Sequence, residues 1–226
     1  MCGRFVAATD PDGLVRFFTI DERQADDLPP SYNVAPTDPV YAVAEHEERR
    51  LLVSFRWGLV PRWAESPKVA ATMINARAET AATKPAFRDA LRRRRCIIPA
   101  DGFYEWTTTS AGTKVPHFIR PEAGGLLAFA GLWETWRDKS DPQAPPLRSC
   151  TILTRAAEGP VTALHDRMPL ALPPDAWSAW LSPDTEAGEV TALLHTDPAP
   201  LRFDAVSPRV NAVRNNDPQL LEPASA

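Results

Sequence analysis

The sequence predicts an α+β fold with a largely antiparallel β-sheet. Many short β-prone segments follow one another with turn residues between them, and the helical segments are few, brief and separate from the strands. The 24 prolines in 226 residues fix many loops and disfavour long helices. The chain contains neither an internal repeat nor a low-complexity segment, and residues 217–226 are predicted to form a flexible C-terminal tail.

The strands are predicted from apolar runs bounded by turn residues. Two such runs, 39–45 and 51–57, flank a charged segment, which indicates a hairpin. Asp101-Gly102 is typical of a two-residue hairpin turn, so it predicts that residues 96–106 form a strand pair. The other predicted strands are 4–8, 116–120, 126–136, 149–154 and 203–207.

The helix predicted near residues 85–94 ends in the most basic run of the chain, four arginines at positions 92–95. Cations at the end of a helix offset the negative end of its dipole. A solvated helix terminus is therefore favoured over a DNA contact for this run. The other predicted helices are 12–18, 158–164, 174–181 and 186–195, and segments 32–36 and 58–68 are predicted to be irregular.

Charge and hydropathy exclude several classes of protein. The formal net charge is −4, so any nucleic-acid site must be a local basic patch rather than the whole surface. No apolar run is long enough to span a bilayer, and the N-terminus shows no signal peptide, so a cytoplasmic protein without membrane contact is expected.

The three cysteines are too few and too scattered for a disulfide framework. Cys96 and Cys150 stand in β-prone apolar runs, which favours buried structural thiols. No pair of cysteines or cluster of histidines has the spacing of zinc ligands, so neither a metal nor another cofactor is expected.

Cys2 is the most reactive residue that the sequence offers. Removal of Met1 would leave Cys2 with an α-amine and a thiol on adjacent carbons, which titrate at about 7.7–8.0 and 8.5. An amine next to a thiol can condense with an aldehyde and then close a five-membered thiazolidine ring. An internal cysteine cannot do this.

Glu105 stands between Tyr104 and Trp106 in an aromatic-rich strand. Desolvation there would raise the pKa of the carboxyl and suit it to general acid catalysis. A solvent-facing glutamate on an edge strand is the alternative, and the spacing of the residues does not decide between them.

His165 precedes Asp166 and Arg167, whose charges could orient its ring for proton transfer near neutral pH. The other histidines stand in charged or strand contexts that favour structural roles. Asn75 and Arg77 alternate, so on an extended segment they face one side, where they could grip a phosphate or form a structural pair.

Arg4 and Trp63 are candidates for contacts with an anionic ligand. Arg4 lies two residues from Cys2, on the same face of a strand, where it could lower the pKa of the thiol and bind an anion. Trp63 stands in an irregular segment, where it could belong to the core or stack on a base.

Taken together, several segments resemble the SRAP family, the SOS response-associated peptidases that act as abasic-site sensors. No single motif is specific, but their number, order and spacing are, and the likeness runs from Cys2 to about Asn216. The matching segments are Cys2-Gly3-Arg4-Phe5 and residues 32–36, 57–59, 74–79, 99–106, 165–169 and 206–211.

The resemblance implies a single SRAP domain over residues 1–216, built on a curved, mainly antiparallel β-sheet with peripheral short helices. It also implies covalent capture of abasic DNA. The Cys2 amine would attack the C1′ aldehyde and the thiol would close the thiazolidine. Asn75 would position the sugar or the nucleophile, Glu105 would assist ring opening and proton transfers, and His165 would act as acid and base in imine formation and in reversal.

The same resemblance implies the ligand and its contacts. The partner would be single-stranded DNA, or a junction of single and double strands, that carries an abasic site. Arg4 and Arg77 would hold flanking phosphates, while Asn33 and Trp63 would shape the DNA path. A monomer in the cytoplasm, associated with the nucleoid when bound to DNA, is expected, together with a peptidase activity that removes Met1 or a short leader.

Three other functions fit parts of the pattern. Class II glutamine amidotransferases also use an N-terminal cysteine, but an apolar residue usually follows their glycine and a second domain follows in the chain. A cysteine peptidase acting on proteins would use Cys2, His165 and Glu105. A non-covalent single-stranded DNA-binding module would tolerate the loss of the Cys2 thiol.

Overall fold

The computed structural model describes residues 2–224 and confirms the α+β class. Within these residues the chain forms two β-sheets surrounded by short helices. The strands are β1 (Phe5–Ala7), β2 (Glu22–Arg23), β3 (Ser31–Val34), β4 (Pro39–His46), β5 (Arg49–Trp57), β6 (Asn75–Arg77), β7 (Arg95–Ala100), β8 (Gly102–Thr108), β9 (Lys114–Pro121), β10 (Leu127–Trp136), β11 (Leu147–Ala156), β12 (Arg167–Pro169) and β13 (Leu201–Ala205). The α-helices are α1 (Pro11–Phe18), α2 (Ala78–Ala81), α3 (Arg88–Arg93), α4 (Trp177–Leu181) and α5 (Ala187–Leu193).

The larger sheet closes on itself. Its strands follow the order β12-β11-β10-β7-β4-β5-β2, and β11 also pairs in parallel with β5. This extra pairing joins β4, β5, β11, β10 and β7 into a small barrel. Each of these five strands therefore has a neighbouring strand on both of its sides. The smaller sheet, in the order β13-β9-β8-β1-β3, packs on the barrel.

Alternation along the strands of the smaller sheet explains how it packs on both sides. Phe5 and Phe103 face the barrel and join its apolar core, whereas Val6 and Tyr104 face the C-terminal segment. Because successive side chains point to opposite faces, a short strand such as β1 can be buried on both sides. A third apolar cluster lies between the outside of the barrel and α1, α3, α4 and α5.

Asp101 marks a corner between the two sheets rather than a hairpin turn. The predicted strands on either side of it exist, but β7 belongs to the barrel and β8 to the smaller sheet, so the predicted strand pair is wrong. The Asp101 carboxylate accepts hydrogen bonds from Ala8 N at 2.7 Å and from Thr9 Oγ1 at 2.7 Å. It therefore ties the corner to the end of β1.

Gly102 is required at this corner because another strand passes very close. A Cβ at this position would lie 2.4 Å from Ile119 O and 2.5 Å from the Phe118 ring, distances that no side chain could occupy. The glycine that indicated a turn is thus needed for close packing of strands.

The other predicted elements agree with the structure in most places. The hairpin of β4 and β5 is confirmed, and so are the predicted helices, although the segment after residue 158 is a 3-10 helix at Gly159–Ala163. Residues 32–36 were expected to be a loop, but β3 covers most of them because it pairs with the edge of β1.

The C-terminal segment packs on the domain as far as the structure describes it. The 3-10 helix Pro218–Leu221 buries Leu220 completely, and Val206 bridges to Pro223. The prediction of a flexible tail is therefore wrong for residues 218–224, because apolar burial at Leu220 offsets the loss of chain entropy. Residues 225 and 226 of that predicted tail lie outside the described part.

Among residues 2–224, every helix is too short or too polar to cross a membrane.

Candidate active site

Strand β1 holds the start of the chain at the seam between the smaller sheet and the barrel. The Arg4 carbonyl accepts a hydrogen bond from Tyr104 N at 3.0 Å, and the Phe5 ring meets Trp57 edge to face at 5.0 Å between centroids. These contacts fix the backbone just after Cys2, which is itself completely buried. A nucleophile at this position is thus preorganised rather than carried on a free terminus.

Asn75 binds the backbone of Cys2 directly. It lies on β6, which pairs in parallel with β11, and its Nδ2 donates to Cys2 O at 2.8 Å. Its Oδ1 is buried and has no hydrogen-bond partner among residues 2–224. Asn75 therefore positions Cys2 with one end of its amide and offers an acceptor to a ligand or an amine with the other.

The Cys2 thiol is kept neutral by its surroundings. Burial raises its pKa, and the neighbouring Glu105 carboxylate raises it further. Arg4 lowers this pKa only slightly, and it does so through its backbone carbonyl, which accepts from the sulfur at 3.9 Å, rather than through the charge of its side chain as the sequence suggested. A neutral thiol is a weak nucleophile, so a base must remove its proton before the sulfur can react.

Glu105 faces the barrel and is 4% exposed, so it is not a solvent-facing glutamate of an edge strand. Burial raises the pKa of its carboxyl, an effect that the nearby His165 partly opposes. The carboxyl is thereby moved toward the pH range in which it can both accept and release protons near neutrality.

His165 is held in the turn before β12. Its Nδ1 accepts a hydrogen bond from Arg167 N at 2.9 Å and lies 2.7 Å from Asp166 Oδ1. Glu105 is near enough to act electrostatically on both Cys2 and His165, and Asn75 is bonded to Cys2, so the fold brings these four residues together from distant parts of the sequence.

Arg77 and Arg167 form the basic border of this site. Arg77 is exposed and, as predicted, shares a strand face with Asn75 because Ala76 between them is buried. Arg167 binds both carboxylate oxygens of Glu79, at 2.6 and 2.9 Å. Sequence reasoning missed Arg167 as a site residue, although its place directly after His165-Asp166 was a signal.

Arg4 and Asn33, the other predicted DNA contacts, are engaged inside the protein. Asn33 is 2% exposed, and its Nδ2 donates to Val210 O, Ala212 O and Asn215 O at 3.2, 3.2 and 2.9 Å. Arg4 Nη1 donates to Asn33 Oδ1 at 2.7 Å and to Val210 O at 3.0 Å. Both side chains fasten the C-terminal segment to the smaller sheet, a contact between distant residues that no local pattern predicts.

Asn33→Ala is expected to lower the free energy of unfolding by about 2–4 kcal/mol, because it removes the donor to three main-chain carbonyls and one of the two acceptors of Arg4 Nη1. Urea unfolding measures this. Asn211→Ala, which removes one exposed hydrogen bond to Trp106, should cost less than about 1 kcal/mol. If Asn33→Ala weakens DNA binding without changing stability, Asn33 contacts DNA and the structural role is wrong.

The structure decides whether Trp63 belongs to the core. Trp63 is 56% exposed, so it is not a core residue and its ring is available to a ligand.

The run of arginines at positions 92–95 is only partly exposed. Arg95, at the end of the run, is buried and donates to Trp180 O at 2.6 Å, so it is not a solvated helix terminus. Arg94 pairs with Glu134 at 2.9 Å, which leaves only the first two arginines of the run exposed.

Cys96 and Cys150 are buried free thiols, as predicted. In the part of the chain that the structure describes, no three histidine, cysteine or acidic side chains are grouped so that they could hold a metal ion.

Comparisons with known proteins identify the family of this chain. Residues 1–213 match the family model described as SOS response associated peptidase (SRAP). The chain is 40% identical over 225 residues to the abasic site processing protein YoqW of Bacillus subtilis strain 168, covering 98% of this chain and 99% of that protein. It is 31% identical over 230 residues to the abasic site processing protein YedK of Escherichia coli K12, covering 99% and 100%.

A solved structure from Bacteroides thetaiotaomicron is similar in fold. The TM-score is 0.85, with 99% of this chain and 100% of that chain covered. At 23% identity this likeness concerns the fold alone.

Proposed function

Because the chain belongs to the SRAP family, we propose that it processes abasic sites in DNA by forming a covalent thiazolidine crosslink through Cys2 after Met1 is removed. The names of relatives such as YoqW support the substrate class. The observation that supports the proposal is that Asn75 and Glu105 are neighbours of Cys2 and that His165 is a neighbour of Glu105. Such a group serves an amine and a thiol on one residue better than it serves a thiol alone.

The first step joins the amine to the lesion. The ring-opened sugar presents an aldehyde at C1′, and the Cys2 nitrogen bonds to this carbon while the carbonyl π pair moves to oxygen. Glu105 takes one proton from the nitrogen and passes it to the oxygen, which gives a carbinolamine. The Glu105 carboxylate then takes the remaining proton from the nitrogen and passes it to the hydroxyl, which leaves as water while the nitrogen lone pair forms the C=N bond; an imine remains and Glu105 is again a carboxylate.

The second step closes the ring. The Cys2 sulfur bonds to the imine carbon, the C=N π pair moves to nitrogen, and nitrogen takes up the proton that Glu105 has removed from the thiol. The raised pKa of the thiol supports attack by the amine before the thiol, because the thiol stays protonated and unreactive until a base removes its proton. Burial of the thiol also protects it from oxidation before the lesion arrives.

The DNA would lie along the basic border of the site. Arg77, which is exposed, would hold a phosphate, and the exposed Trp63 would stack on a base next to the lesion. Arg4 and Asn33 then act indirectly, by holding the C-terminal segment. Unpaired bases can stack on the exposed Trp63 ring, so single strands and strand junctions suit this site better than an intact duplex does. All the residues named belong to one chain, which is consistent with a monomer acting in the cytoplasm.

Removal of Met1 is part of the proposed function. The description of the matching family as a peptidase supports an autoprocessing reaction at this bond, with Cys2 becoming the new terminus. The same group of side chains would serve this cleavage.

His165→Ala is expected to slow reversal of the crosslink by about 10²-fold or more, with a smaller effect on the final yield. Reversal must reopen the ring and hydrolyse the imine, so it depends on proton transfers twice. The decay of purified adduct, chased with competing abasic DNA, measures the rate. Equal decay of the variant and the natural protein would remove His165 from this role.

The proposal is tested by mixing mature protein with single-stranded DNA that carries one abasic site. A complex that survives boiling in denaturant is expected, and mass spectrometry should place it on residue 2. The same oligonucleotide without the lesion is the control. If no adduct forms on the damaged strand, or if the adduct forms equally on the intact strand, the proposal fails.

A further inference from the structure

We infer that neutral His165 carries its proton on Nε2, so that it donates a hydrogen bond to the bound sugar while Glu105 alone takes protons from Cys2. The catalytic meaning of this inference rests on the proposed function. Its physical basis is the geometry of the turn that contains His165, Asp166 and Arg167.

The main chain is fixed on both sides of the imidazole. His165 N donates to Val161 O at 3.0 Å, in the 3-10 helix that precedes the turn. Arg167 begins β12 and pairs with Ala156 on β11. The amide of Arg167 is thus held in one place, and it donates to Nδ1 of His165 at 2.9 Å.

Two partners compete for this one nitrogen. Besides the Arg167 amide, the Asp166 carboxylate lies 2.7 Å from Nδ1. Nδ1 accepts from the amide only when its lone pair is free, and it donates to the carboxylate only when it is protonated. The two contacts therefore require opposite tautomers of the neutral ring.

The Asp166 carboxylate and the Arg167 amide differ in how strongly they hold Nδ1. The Asp166 side chain is 85% exposed, so its carboxylate stays hydrated and its contact with Nδ1 adds little stability. The Arg167 amide belongs to a partly buried turn, where leaving a donor without an acceptor costs more than an exposed ion pair contributes. The amide prevails, Nδ1 accepts, and the proton of the neutral ring is on Nε2.

This tautomer divides the proton transfers between two residues. A protonated Nε2 has no lone pair with which to take a proton from the Cys2 thiol, so that task falls to Glu105. The Nε2 proton can instead stabilise the oxygen that develops charge at C1′. The arrangement differs from a Cys–His–Asp triad, in which the carboxylate holds a protonated Nδ1 and Nε2 is the base.

Other charged side chains of residues 2–224 also lie near the ring. Glu105, on β8, is within electrostatic range of His165. The Arg167 guanidinium is directed to Glu79, which neutralises it.

Nitrogen NMR of the full chain labelled with ¹⁵N tests the tautomer without any reaction. The chain has four histidines, and His165→Gln identifies the signals of His165 by their loss. At a pH where the ring is neutral, Nε2 should resonate as a pyrrole-type nitrogen and Nδ1 as a pyridine-type nitrogen, in the natural chain and in Asp166→Asn alike. A pyrrole-type Nδ1 would overturn the inference.

Crosslinking kinetics provide the second test. Asp166→Asn and Asp166→Ala should form the adduct within about fivefold of the natural rate, because an exposed contact contributes so little. Asp175→Asn, an exposed carboxylate before α4, is the matched control. A triad predicts a loss of up to roughly 10⁴-fold when the orienting carboxylate is replaced, and a loss above 100-fold would refute the inference.

The two tests separate this inference from the proposed function. If the natural protein forms no adduct, the proposed function fails while the NMR spectrum still reports the tautomer. If the adduct forms and Nδ1 is pyrrole-type, the function stands and this inference falls.

Discussion

Cys2→Ala is expected to lower the yield of boiling-resistant adduct by roughly 100-fold or more, because the alanine amine can form an imine but no ring. An imine hydrolyses during denaturation, whereas a thiazolidine persists. Adding a hydride reductant during the reaction should restore a stable adduct on Cys2→Ala, since reduction converts the imine into an amine. Gel electrophoresis after boiling, with and without reductant, measures both results.

Two control variants make this result specific. Cys150→Ala removes a thiol that is equally buried and should keep the natural yield. A chain in which a residue that is not cleaved off precedes Cys2 keeps the thiol but has no free amine on Cys2, and without reductant it should give no adduct. If Cys2→Ala without reductant crosslinks as well as the natural protein, the thiazolidine is not formed.

Glu105→Gln is expected to slow crosslinking by about 10²–10⁴-fold, because the amide of glutamine keeps the shape of the carboxyl but carries no proton between nitrogen, oxygen and sulfur. The rate of the natural protein should rise with pH as Glu105 ionises, and the variant should lose this dependence. Single-turnover rates over a pH series measure it. Glu45→Gln changes another glutamate whose pKa burial raises, on β4 away from the site, and is the control.

The same substitution should change how stability depends on pH. Burial raises the pKa of Glu105, so at intermediate pH the folded protein keeps a proton that the unfolded chain has released. The natural protein is therefore most stable, with respect to this group, below the unfolded value of about 4.3, and it loses stability as pH rises through the folded pKa. Glu105→Gln should remove this loss.

Urea unfolding at several pH values tests the linkage. The difference in unfolding free energy between Glu105→Gln and the natural protein should move in favour of the variant as pH rises from about 4. A difference that stays constant with pH would mean that Glu105 titrates alike in the folded and unfolded chains, and its role as a base with a raised pKa would be lost.

Local sequence patterns predicted the fold class well and its connections less well. The hairpin of β4 and β5 follows from apolar runs around a charged turn, and a hairpin needs only contacts that are near in sequence. Asp101-Gly102 has the same local signal, but the close passage of Ile119 and the end of β1 decide its role. A pattern of neighbours contains no information about which distant strand will approach.

In the site, too, residue chemistry could be identified from the sequence, whereas contacts between distant residues could not. Cys2, Asn75, Glu105 and His165 were identified from their chemistry and from the resemblance, and the fold brings them together. Asn33 was assigned to DNA, yet it is buried against Val210, whose position no motif near Asn33 could reveal. Arg95 was treated as part of a charged run, yet its guanidinium caps the end of α4.

The amino-acid sequence specifies which reactive groups this protein has: a cysteine that can bear both an amine and a thiol, an amide, a carboxyl and an imidazole. How each of these groups behaves depends on the fold around it. Closure of the barrel and packing of the smaller sheet bury the Cys2 thiol and Glu105, and this desolvation raises both pKa values. Desolvation depends on every chain segment that excludes water from a site, so it is a property of the folded molecule.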